Sequence, residues 1–147
     1  MSELSPKVLK AREYFLEGYN CSQSVFAAFA EDIGMDEETA LKASCGLGGG
    51  IGRLREVCGA VCGAAMLCGF TEAADDKASV YKKVQEIAEE FKKNNDTYIC
   101  RELLELKKGA PTPHTPDART AEYYKSRPCL RLVEEVAQIV EKNLFNK

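Results

Sequence analysis

A chain of 147 residues that is 45% hydrophobic and 29% charged carries enough apolar surface for one buried core, which excludes a disordered tail. Its net charge of −3, with no run of Lys or Arg, excludes a nucleic-acid backbone as partner and leaves small molecules or proteins. The segment Met1–Lys7 has no apolar leader and Val57 to Phe70 is too short for a membrane span of ~18 residues. The expected location is therefore cytoplasmic, with no membrane insertion.

Apolar residues recur at helical spacing along almost the whole sequence, and no alternating strand pattern stands out. The expectation is an all-α fold: a single domain over residues 1–147, a helical bundle of about six helices with a Gly-rich loop before a buried central helix. Ser5-Pro6 supplies a cap and a first-turn proline, Val8, Ala11, Phe15, Leu16 and Tyr19 form a stripe, and Gly18 is the stop. Asn20 caps a second helix whose stripe is Cys21, Val25, Ala28, Phe29 and Ile33. A shorter helix runs from Asp36 to Ser44.

Five glycines then fall in the seven residues Gly46 to Gly52, a density that regular helix does not tolerate. The run lacks the Lys-Ser/Thr of a P-loop and the strand that precedes a dinucleotide fingerprint, so a nucleotide site is not expected. Two uses remain open: a tight turn between packed helices, or backbone N–H groups turned on a buried anionic centre, with Arg53 and Arg55 nearby. The apolar stretch from Glu56 to about Gly69 reads as a buried helix, with Gly59 and Gly63 on one face admitting a close neighbour.

Asp75 to about Asn94 shows an inward stripe of Val80, Val84, Ile87, Ala88 and Phe91. Asp96 or Thr97 caps a further helix bearing Cys100, Leu103 and Leu104. Residues Gly109–Pro116 read as a surface loop, in which the only histidine, His114, has no partners for a catalytic triad. Ser126 caps the last helix, with Cys129, Leu132, Val133, Val136 and Val140 in its stripe.

Seven cysteines in a chain expected to be cytoplasmic point to metal binding or electron cycling more than to structural disulfides. Cys21, Cys58, Cys100 and Cys129 each fall near a helix start and begin an apolar stripe. A thiol there meets unpaired N–H groups and the positive end of the helix dipole, which favour thiolate. Their wide separations do not match the close ligand pairs of zinc fingers, so any common site must be built by the tertiary fold. Free cysteine is also an ordinary core residue, and that reading is preferred for Cys45, Cys62 and Cys68. Without Cys-x-x-Cys-His or Cys-x-x-Cys, neither covalent haem nor a thioredoxin-type dithiol is expected.

Three stretches carry a resemblance: Tyr19-Asn20-Cys21-Ser22-Gln23-Ser24-Val25, Gly48–Arg53, and Val57-Cys58-Gly59-Ala60-Val61-Cys62-Gly63-Ala64. With Cys100 and Cys129 they resemble the redox-active protein family named for its C_GCAxxG_C_C pattern, over about Tyr19 to Cys129. The centre here reads Cys-Gly-Ala-x-x-Gly, with Cys62 inside the variable pair. The resemblance implies redox thiols at Cys21, Cys58, Cys100 and Cys129. Related domains occur in the split-Soret cytochrome, where cysteines were suggested to hold an iron–sulfur cluster.

Three readings follow: reversible disulfides between pairs of the four thiols, an iron–sulfur cluster or zinc held by the same four, or a helical interaction module whose cysteines only pack. The resemblance names no substrate and no electron-transfer or protein partner.

Overall fold

The computed structural model describes residues 4–72 and 75–145. Met1, Ser2 and Glu3, part of the segment behind the cytoplasmic expectation, lie outside them. The described residues form eight α-helices: α1 Pro6–Leu16, α2 Cys21–Ala28, α3 Glu37–Ser44, α4 Gly59–Thr71, α5 Lys77–Asn95, α6 Cys100–Leu103, α7 Ala121–Ser126 and α8 Cys129–Val140. No strand is present among them, and one isolated antiparallel bridge joins Val57 to Ile99. No helix is long and apolar enough to cross a membrane among the described residues.

Helix α7 is the one not read from the sequence, because it is short and buries no residue and so shows no stripe. Local chemistry also moves several ends. Asp96 does not cap α6: at φ +70° it closes α5, and Ile99 is the N-cap of α6. Ser126 ends α7, and Pro128 stands at the N-cap of α8. The second helix stops at Ala28, so Ile33 sits in a separate 3-10 turn, Glu31–Ile33. The central helix starts at Gly59 rather than Glu56 because Val57 is held in the bridge.

Helix α2 is the hub, buried from Ser22 to Ala28 and packed most extensively on α4, then on α1 and α3. Close approach to α4 depends on Gly63 and Gly59. A Cβ at Gly63 would stand 2.8 Å from the Ser22 carbonyl oxygen, and one at Gly59 would stand 3.0 Å from the Leu47 carbonyl oxygen. Helix α8 then lays Leu132, Val133, Val136, Ala137, Ile139 and Val140 against α1, α2, α4 and α5. Full burial of each larger apolar side chain contributes about 1.5–3 kcal/mol.

Between α3 and α4 the chain takes an unusual course. Gly49, Gly50, Ile51, Gly52 and Arg53 are successive residues at φ between +56° and +73°, and Arg55 follows at +64°. For Ile51, Arg53 and Arg55 this left-handed backbone costs about 1–2 kcal/mol each relative to the right-handed form. Backbone bonds within the segment hold it: Gly52 N–H donates to the Gly46 carbonyl, Arg55 N–H to Gly49 and Glu56 N–H to Gly50.

Candidate functional site

Cys21, Cys58, Cys100 and Cys129 line one cavity of about 60 Å³, although they come from four different elements. The helix positions match the sequence reading: Cys21, Cys100 and Cys129 are the first residues of α2, α6 and α8, and Cys58 is the N-cap of α4.

Each is fixed by a distinct local device. Asn20 closes a capping box with Gln23, each side chain accepting the other's backbone N–H, at 2.9 and 3.0 Å, which seats Cys21. The Asn20 amide also donates to the Cys45 carbonyl at 2.9 Å, so the glycine segment is tied to the same corner. Around the Val57–Ile99 bridge, Cys58 N–H donates to the Tyr98 carbonyl and Cys100 N–H to the Glu56 carbonyl, bringing α4 and α6 together at their starts. A Cβ at Gly50 would lie 2.8 Å from the Cys100 Cβ, and one at Gly59 3.3 Å from the Cys21 Cβ. The glycines therefore allow close packing of backbone against two of the thiols. The N–H groups of Ile51, Gly52, Arg53, Arg55 and Glu56 are consumed by carbonyls of the same segment, while Gly49 and Gly50 are the glycines of the run that line the cavity.

The four thiols are electrostatically unequal. Cys129 is lowered to about 7, first by a hydrogen bond from Cys21, with Arg127, the Tyr123 hydroxyl and Arg55 adding to the effect against the cost of burial. Cys21 is raised well above the ordinary thiol range, because the proton it donates to Cys129 stays on it and because it is buried. Burial pushes Cys58 up to about 12, overcoming the N–H groups of Ala60 and Val61. Cys100 is also raised by burial, although the Arg55 guanidinium approaches its Sγ at 3.6 Å. The expectation of thiolate at all four helix starts is thus corrected: desolvation outweighs the helix terminus at Cys58 and Cys100, pairing with Cys129 and then burial keep the proton on Cys21, and of the four only Cys129 is lowered.

Arg119, Tyr123 and Arg127, which sequence reasoning missed, complete the cavity wall. Arg119 donates to the carbonyls of Phe15 and Tyr19 and lies 4.1 Å from the Phe15 ring centroid, clamping the α1–α2 corner to α7. The Tyr123 ring sits beneath two guanidinium groups, Arg119 at 5.1 Å and Arg127 at 5.3 Å. Tyr-Tyr and Arg residues flanking Cys129 were visible in the sequence, but no periodicity marked them.

The other cysteines stay apart from this wall. Cys45 is exposed, Cys68 is buried with its thiol on the Ala64 carbonyl, and Cys62 turns its thiol to the Val57 carbonyl. His114 is exposed. A wider open groove of about 660 Å³ along Asn94–Thr97 and Lys125–Pro128 contains no cysteine.

The chain matches, over residues 19–143, the family described as "Putative redox-active protein (C_GCAxxG_C_C)". It belongs to that family. No curated protein and no solved structure matches it significantly. All seven cysteines of this C_GCAxxG_C_C protein are free thiols. Four thiols round one cavity are the donor chemistry of a soft metal or an iron–sulfur cluster. Among the described residues, however, no group of three or more His, Cys, Asp or Glu is arranged to hold a metal ion. As positioned, the side chains do not fit a ligand set.

Proposed function

We propose that this C_GCAxxG_C_C chain acts as a single-domain thiol–disulfide redox protein in which Cys129 attacks and Cys21 resolves. The observation that carries the reading is the placement of the pair: Cys21 and Cys129, the first residues of α2 and α8, line one cavity, and their thiols are shifted in opposite directions, Cys129 lowered and Cys21 raised. A thiol that titrates near ambient pH combines a large thiolate fraction with retained nucleophilicity.

In the first step the Cys129 thiolate bonds to one sulfur of a disulfide substrate, whose S–S bond breaks, and the departing thiolate takes a proton from solvent. Cys21 then loses its proton to the second leaving sulfur and attacks the Cys129 sulfur. The products are a Cys21–Cys129 disulfide and two thiols, with two electrons passed to the substrate. Cys58 and Cys100, both held protonated, keep the cavity lined with neutral sulfur around the pair. A reducing compartment such as the cytoplasm is proposed because the cycle needs both residues returned to thiols.

The test is a thiol count under graded oxidant, with alkylation and peptide mapping. The expected result is a loss of two free thiols, mapped to Cys21 and Cys129. A count that does not change between oxidant and reductant would sink the reading. Ligation of an iron–sulfur cluster or zinc by Cys21, Cys58, Cys100 and Cys129 is the second reading; the four share a cavity, but their side chains would have to turn from their present positions to form a ligand set. Stoichiometric iron or zinc in protein purified without oxygen would favour it over the dithiol.

A further inference from the structure

Lowering Cys129 employs Arg127 and Arg55 but leaves the size of the arginine cluster beside the sulfurs unexplained. Arg53, Arg55, Arg119 and Arg127, with Asp117 and Tyr123, line a second cavity of about 80 Å³, and Arg55, Arg119, Arg127 and Tyr123 line the cysteine cavity as well. The two spaces share a wall, so whatever enters the first is set beside the second.

The charges in this vestibule do not balance. Four arginines face one carboxylate, Asp117, whose Oδ2 alone meets Arg127 at 3.0 Å, Arg53 at 3.3 Å and Arg55 at 3.9 Å. The Arg55 side chain is only 8% exposed, and its other contact is the sulfur of Cys100. Arg53 Nε is buried and makes no hydrogen bond. Arg119 is spent on neutral carbonyls, which position its charge without cancelling it. Even with Cys129 ionised, the positive groups are in excess, and for Arg55, the one withdrawn furthest from water, a counter-charge closer than the Asp117 oxygen at 3.9 Å would offset the cost of burial.

We infer that the vestibule is an anion subsite, which seats a carboxylate or other small oxyanion group of the molecule that the cysteine pair acts on. Asp117 shows how a carboxylate sits there: one oxygen shared among three guanidinium groups, with the arginines positioned by the left-handed segment and by α7. The planar, multi-donor guanidinium suits such oxyanions better than a lysine would. The attachment of the anion to a reducible group rests on the thiol-redox reading, whereas anion binding itself does not.

Titration calorimetry with acetate and with sulfate, at low and high ionic strength, tests it on the full chain. One or both anions should bind, more weakly as chloride rises, and whichever binds defines a planar or tetrahedral preference. Asp117→Asn should tighten binding about tenfold and Arg127→Gln or Arg53→Gln should weaken it about tenfold, the scale of one charge-assisted hydrogen bond. Circular dichroism of each variant separates a lost contact from a lost fold. Binding should persist in Cys21→Ser/Cys129→Ser protein. Persistence there, with no thiols lost on oxidation of the unaltered chain, would discard the redox reading and leave the subsite. Absence of binding to both the unaltered chain and folded Asp117→Asn protein would overturn the subsite and leave the redox reading standing, as would affinities indifferent to folded arginine variants.

Discussion

At the scale of single residues, the deciding contrast is between Cys129 and Cys58. The family motif draws attention to Cys58, yet burial holds that thiol protonated up to about 12, while hydrogen bonds and nearby arginines draw Cys129 down to about 7. Alkylation by iodoacetamide should therefore show a midpoint near pH 7 assignable to Cys129 by mass spectrometry. Arg127→Gln should move that midpoint upward, and Cys58→Ala should leave it in place.

Stability should follow the same shifts. From pH 7 to about 9 the native state sheds the Cys129 proton before the unfolded chain does, so this residue adds stability as pH rises and loses it as pH falls through 7. Above about 9 the unfolded chain ionises Cys58 and Cys68 while the native state keeps them protonated, Cys68 to about 11. Stability should then fall by up to about 1.4 kcal/mol per pH unit for each buried thiol. Urea titrations from pH 7 to 10.5 check both limbs, with Cys58→Ala flattening the alkaline one. The sequence made the four helix-start cysteines legible but not their ranking. Ranking depends on Tyr123, Arg127 and Arg55, which approach Cys129 only in the folded chain.

At the scale of elements, the long stripes were readable and the short connectors were not. Helices α1, α2, α5 and α8 announce themselves by apolar spacing and by caps such as Ser5 and Asn20, because burial and end hydrogen bonds act within a few residues. Helix α7 has no buried residue, and so leaves no stripe to find. The Val57–Ile99 bridge pairs segments about forty positions apart. The Gly59 and Gly63 spacing was legible because small residues four apart expose backbone whatever the partner is.

Two substitutions test these local devices. Asn20→Ala should cost about 1–2 kcal/mol, since it removes a capping box that also holds the Cys45 carbonyl. Gly63→Ala should cost about 1–3 kcal/mol, because its new methyl meets the Ser22 carbonyl oxygen in backbone that cannot swing aside. Urea denaturation measures both, and Gly69→Ala, which meets nothing within 4 Å, is the matched control.

At the scale of the molecule, α2, α4, α6 and α8 converge by their starting ends, and the four cysteines line one cavity where the chain's early and late parts join. A Cys21–Cys129 disulfide would close a loop of roughly a hundred residues, for which chain entropy predicts a stabilisation of about 4–5 kcal/mol. Oxidised protein should therefore unfold at higher urea than reduced protein, and the difference should vanish in Cys129→Ser. If the cysteines served packing alone, oxidation would not raise the midpoint, and single replacements would each cost on the order of 1 kcal/mol and add independently.

The run from Gly49 to Arg53 carries a stereochemical consequence. Its backbone has the hand that D-amino acids prefer, so ordinary side chains are penalised there by chirality even where space is free. Gly52 isolates that effect, because an L-alanine Cβ there would meet no atom closer than the Gly46 carbonyl oxygen at 3.8 Å. Gly52→Ala should lose about 1–2 kcal/mol to the backbone alone. Semisynthetic protein with D-alanine at the same position should lose nothing, and a mirror-image residue would then be the better fit to a turn that leads Arg55 to the Cys100 thiol.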